Sequence, residues 1–123
     1  MPISTPASRL WRAISALLGL SAVALAAIAA HALSDMKAAQ AVERAAIMQL
    51  IHAVLLLFLA GLTGVFSRLA RWSTLIGLTL FCGGIYAKYL LGMASAGSIA
   101  PIGGMTMMLG WLLLGLSSLT KDN

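Results

Sequence analysis

The chain has 123 residues, room for one small domain. Apolar residues make up 61% and charged residues 9%, where a soluble globular domain has about 45–50% and roughly 25%. Eight basic and three acidic side chains cannot cover a water-soluble surface of this size, which excludes a cytosolic enzyme, a secreted disulfide scaffold and a disordered tail.

The net charge of +5 does not point to nucleic acid. Basic nucleic-acid binders gather Lys and Arg on one surface, whereas here they stand singly or in pairs at the ends of apolar runs. That placement is the pattern of membrane topology signals. The lone Cys82 lies inside an apolar run and can form no internal disulfide.

Charge is absent from residues 13–34, 45–67, 72–87 and 89–120. A helix needs about 20 mostly apolar residues to cross the hydrocarbon core. The first run predicts a span over 13–33, preceded by an unstructured stretch over 1–8. The 34–44 connection has no Gly or Pro, and Ser34 or Asp35 can cap a new helix. A helical extension over 36–44 therefore leads into a second span over 45–66. After a loop at 67–71 the third span runs over 72–91, with Lys88 near its end, where a long stem can carry the ammonium to the interface. Residues 92–98 are small, polar and flexible and read as a loop. The fourth span covers 100–119, with Pro101 in its first turn, where a missing N–H costs little.

Each run is about twice the length of a barrel strand and none alternates apolar with polar, so the spans are helices. The fold class is all-α, a four-helix transmembrane bundle. Counting Lys and Arg at span ends gives five on one side (Arg9, Arg12, Arg68, Arg71, Lys121) and three on the other (Lys37, Arg44, Lys88). The bias places both termini on the cytoplasmic side, and Trp11 and Trp72, each beside an arginine, fit an interfacial belt there. A competing reading takes the N-terminal run as a signal peptide cleaved after Ala30-His31-Ala32, but the apolar run exceeds the usual ~7–15 residues.

Helical periodicity sorts the faces. Helix 1 carries Ser15, Gly19, Ala22, Ala26 and Ala29 along one side. Helix 2 carries Ala45, Gln49, His52, Leu56, Ala60 and Thr63, and polar groups in this stripe belong inside the bundle. Helix 3 presents Gly77, Gly84 and Lys88 on one face and Gly83 with Ala87 on another. Helix 4 presents Gly104, Met108, Trp111, Gly115 and Ser118 on one face and Gly103, Gly110 and Ser117 on a second. Small faces let helices approach closely in lipid, and two on one helix suggest one contact within the bundle and another with a second copy or a larger membrane complex.

No nucleophile motif, phosphate loop or metal-spacing cluster is present, so no catalytic residue, cofactor or metal ligand is assigned, and the reading is not an enzyme. The intramembrane polar candidates are His31, Gln49, His52 and Lys88, with Tyr86 at the same end. His31 and His52 come to similar depths. They can serve as structural hydrogen-bonding groups with Gln49 as a partner, as steps in a proton or solute path, or as a metal or haem pair. Two histidines fall short of a zinc site, which needs a third or fourth ligand. Lys88 can reach the interface or pair with Asp35 or Glu43. Cys82 and the cluster Met105, Met107 and Met108 read as packing side chains.

In order along the chain stand Ala30-His31-Ala32-Leu33, then Gln49 three residues before His52, then Phe81-Cys82-Gly83-Gly84-Ile85-Tyr86, then Pro101-Ile102-Gly103-Gly104, then Gly110-Trp111. This series resembles the YgdD/YwdK-like small bacterial membrane proteins, a domain-of-unknown-function family with short eukaryotic relatives, over residues 15–118. The chain departs from the family pattern at Ala26 to Ala30, where glycines are usual. It departs again at Cys82-Gly83-Gly84, where a serine-glycine-serine run is usual, and at Ala100, where threonine is usual. The resemblance implies four helices in the bacterial inner membrane with helix 1 retained, and it implies no reaction. The combined expectation is a lipid-embedded structural or accessory protein, with a small channel or transporter near Gln49, His52 and His31 as the alternative.

Overall fold

The computed structural model describes residues 5–120. Four α-helices follow one another: α1 over Pro6–His31, α2 over Met36–Leu59, α3 over Val65–Leu90 and α4 over Ala100–Ser117. A 3-10 helix over Ala94–Ile99 leads into α4, and no strand occurs among the described residues.

Helix α1 starts earlier than the apolar run suggests. The Ser8 N–H donates to Thr5 Oγ1 and the Thr5 N–H donates to Ser8 Oγ, both at 3.0 Å. Pro6 fills the first turn. This reciprocal cap satisfies donors that a helix start leaves open. Of the stretch expected to be unstructured over 1–8, residues 6–8 are therefore helical and residues 1–4 lie outside the described residues, as does Lys121. At the other end α1 stops at His31, and α2 begins after Asp35, whose carboxylate accepts from the Ala38 N–H at 3.1 Å.

The reversal between α2 and α3 lies at residues 60–64, not at 67–71. Gly64 supplies it with a φ of 101°, a conformation that side-chain-bearing residues avoid. Arg68 and Arg71 consequently stand on the first two turns of α3. Arg71 Nη1 donates to the carbonyls of Leu59 at 2.9 Å and Leu62 at 3.0 Å. The guanidinium thereby braces the turn that ends α2, where the Leu59 carbonyl also accepts from the Leu62 N–H at 3.0 Å. The segment read as a loop over 92–98 is mostly the 3-10 helix; only the turn at Gly92, with φ 72°, breaks the helical path.

Backbones approach each other only between sequence neighbours: α1 with α2, α2 with α3, and α3 with α4. The α3–α4 contact is the tightest. A side-chain carbon at Gly77 would come within 2.6 Å of the Met107 nitrogen, and one at Gly84 within 2.8 Å of the Ala96 carbonyl oxygen. Gly103 lies against the backbone of Phe81, and Gly110 against Thr74. The pairings 84 with 96–100, 77–81 with 103 and 70–74 with 110 run antiparallel. Ser73 adds a hydrogen bond to the Thr106 carbonyl at 2.7 Å. Thr74 Oγ1, buried with no hydrogen-bond partner among the described residues, sits on the bare Cα of Gly110.

Three helices are long and apolar enough to cross a membrane: α1, α2, and α4 with its leading 3-10 turn. Helix α3 falls outside that set because Arg68, Arg71 and Lys88 flank a segment rich in Ser, Thr and Gly. Half of the apolar window of α2 is buried, against 17% for α1 and 22% for α4, so α2 is central and the flanking helices turn large apolar surfaces outward. Leu17, Leu20, Met108 and Leu112 are among those surfaces, as a lipid solvent requires. The core forms three clusters. One is built on Leu78, Cys82 and Met107, one on Trp11 and Leu56, and one on Leu55, Leu59 and Ala70.

Candidate functional site

The buried stripe of α2 organises the polar interior. Ala45, Gln49, His52, Leu56 and Ala60 are all buried, while Thr63, at its end, is exposed. The steps of three and four residues put these side chains on one side of the helix.

Gln49 joins three helices. Its Nε2 donates to the Leu18 carbonyl at 2.8 Å and to Ser21 Oγ at 2.7 Å, both on α1. Its Oε1 accepts from the Tyr86 hydroxyl of α3 at 2.8 Å. One turn away, the Cys82 thiol donates to the Ala45 carbonyl at 3.2 Å. Both donor hydrogens of the amide and one lone pair of its oxygen are thereby used.

His52 joins α2 to α4. Its Nδ1 lies 2.7 Å from the Met48 carbonyl. A carbonyl can only accept, so Nδ1 carries the proton and Nε2 of the neutral ring is an acceptor. Trp111 Nε1–H donates to that Nε2 at 3.1 Å, with the two rings edge to face at 5.8 Å. Beside this pair an apolar groove of about 300 Å³ opens on the outer surface, lined by Phe81, Pro101, Gly104 and Met108.

The expected cluster thus separates into two. Gln49 and Tyr86 are bonded to each other, and His52 pairs with Trp111 rather than with Gln49. His31, the last residue of α1, is exposed and joins neither group among the described residues. The two histidines therefore do not act as a pair. Lys88 makes no ion pair with Asp35 or Glu43; its ammonium lies 5.1 Å from the Tyr89 ring and its stem runs over Gly97. No group of three or more His, Cys, Asp or Glu residues is placed to hold a metal among the described residues. Of the small-residue positions, Gly84, Gly103 and Gly110 form the α3–α4 contact. Gly83 faces open space, and a side-chain carbon at Gly104 would lie 3.8 Å from the Phe81 ring. Pro101 starts α4.

Sequence reasoning missed Ser21, which lies about 100° around α1 from the recognised small face. It also missed the cluster at the opposite end, where Trp11 packs edge to face on Trp72 at 5.1 Å and the Arg71 guanidinium lies 5.8 Å from the Trp11 ring. The Trp–Arg adjacency was visible as an interfacial belt, but not as a contact between α1 and α3.

An all-helical chain with an apolar exterior, and with its buried polar groups spent on contacts between helices, belongs to the class of small integral membrane proteins. The chain is a member of the family described as Protein of unknown function (DUF423), whose model matches residues 25–104. It is 38% identical over 84% of its length to a UPF0382 membrane protein of Haemophilus influenzae, covering 88% of that protein. It is 32% identical over 86% of its length to a UPF0382 membrane protein of Staphylococcus epidermidis, covering 92% of it. No solved structure matches the chain.

Proposed function

We propose that this is a non-catalytic, multi-pass protein of the bacterial inner membrane that works by packing against a second copy of itself. The commitment of the interior polar groups supports this reading. The amide of Gln49 and both ring nitrogens of His52 already have partners on other helices or on their own backbone. A solute or proton path along Gln49, His52 and His31 would need those atoms free and the three residues adjacent.

Helix α3 accompanies the other three across the bilayer in this reading. It lies against α4 from Ala70 to Gly84, about 21 Å at the helical rise, so the depth that α4 spans is shared by α3. Four crossings put both termini on one side, and the excess of Arg at the α1 and α3 starts favours the cytoplasm.

The association surface is the outward face of α4. Its inner small residues are consumed by α3. Met108 and Gly115 stay outside that contact, and nothing lies within 4 Å of a side-chain carbon at Gly115. Cysteine cross-linking in native membranes tests this. In a Cys82→Ser background, Gly115→Cys gives a disulfide-linked dimer on mild oxidation, and Leu17→Cys on the outer face of α1 does not. No dimer from Gly115→Cys, or equal yields from both positions, overturns the reading.

A further inference from the structure

At the end of the molecule that carries Thr5, a recess of about 760 Å³ opens between α1, the 60–64 turn and the start of α3. Arg12, Arg68 and Arg71 line it, together with Trp11, Thr63 and Gly64. Three guanidinium-bearing residues from two helices converge on it, and among the described residues no carboxylate lines it. The acidic residues among those described, Asp35 and Glu43, stand at the opposite end, where α2 begins.

Two further features add to the positive potential. Helix α3 starts at Gly64, which lines the recess, with no side-chain cap, so the positive end of its dipole stands beside it. The negative end of the neighbouring helix α2 is already covered by Arg71, through Leu59 and Leu62. Arg71 itself is partly withdrawn from water, with Arg68 repelling it, and its Nε is buried without a hydrogen-bond partner among the described residues. Arg71 is fixed by its carbonyl contacts and by Trp11, whereas Arg68 is exposed and its side chain is free to close on a ligand.

We infer that this recess binds a phosphate group, presented by the headgroup of an anionic phospholipid or by a soluble phosphate compound. Guanidinium forks match phosphate oxygens in pairs. Trp11 and Trp72 set the recess at the level where a bilayer holds its phosphates. The inference stands apart from self-association, which uses α4.

Native mass spectrometry of the full chain in mild detergent tests it, with phosphatidylglycerol, phosphatidylcholine and inorganic phosphate offered separately. The site retains phosphatidylglycerol, or inorganic phosphate if the natural ligand is soluble, in preference to phosphatidylcholine. Arg68→Gln weakens that retention by about tenfold or more, as loss of a charged hydrogen bond does, and Arg12→Gln/Arg68→Gln weakens it further. Lys37→Gln, at the far end of the bundle, leaves it unchanged and controls for net charge. Arg68 is exposed, so the variant keeps its fold, which circular dichroism verifies. Equal retention of phosphatidylglycerol and phosphatidylcholine with no phosphate bound, or retention unchanged in the double variant, overturns the inference.

Discussion

Gln49 shows how much one polar side chain can do in an apolar interior. Its amide reaches a backbone carbonyl and a hydroxyl of α1 and accepts a hydroxyl from α3, so three helices are fixed in rotation about one group. Interhelical hydrogen bonds in lipid average about 0.6 kcal/mol each. Gln49→Leu removes three and leaves the Tyr86 hydroxyl buried, so it lowers stability by about 2 kcal/mol. Tyr86→Phe removes one and lowers it by under about 1 kcal/mol. Unfolding titrations in detergent micelles check the order of the two. That Gln49 and His52 face inward was legible, because polar residues three apart in an apolar run have one low-energy side. Their partners were not. Trp111 and Tyr86 lie 59 and 37 residues away, and nothing local in the sequence sets the rotation and depth at which those helices meet. The same gap explains His31, which shares a depth with His52 on paper but ends α1 facing outward.

At the scale of the elements, glycine decides which helices touch. The two small faces of α4 were readable from spacing alone, but which one meets α3 depends on the complementary notches at Gly77 and Gly84. Gly110→Leu places a side chain against Thr74 and the Ala70 carbonyl and forces α3 and α4 apart. The expected cost is above about 3 kcal/mol, at the high end for single substitutions, and the protein is recovered poorly. Gly83→Leu, on the outer side of α3, meets open space and yields protein of unchanged thermal stability. Size-exclusion recovery after heating separates the two. The boundaries were less legible than the faces. Arg68 and Arg71 look like loop charges in the sequence, yet Gly61 and Gly64 make the turn and let both arginines ride on α3. Likewise the Thr5–Ser8 cap extends α1 beyond its apolar run, because a capping box does not depend on hydropathy.

For the whole molecule, the number of crossings sets where the ends lie. Reporter fusions at the N- and C-termini should both give cytoplasmic signal, active for a fluorescent protein and inactive for a periplasmic phosphatase. A split result would mean that α3 does not cross. The all-α architecture was legible from charge-free runs, and the relatives are membrane proteins. Less legible was the serial order of packing, in which α1 meets α2, α2 meets α3 and α3 meets α4, since hydropathy carries no record of which spans are neighbours.

That order has a consequence for biogenesis. Each newly synthesised helix finds its backbone docking surface on the segment made just before it, while side-chain contacts such as His52 with Trp111 and Trp11 with Trp72 close later, across that frame. Partners close in sequence assemble quickly because little loop entropy is lost in bringing them together. The polypeptide can therefore settle into place progressively at the ribosome, with α4, the last helix out, closing against a surface that α3 has already laid down.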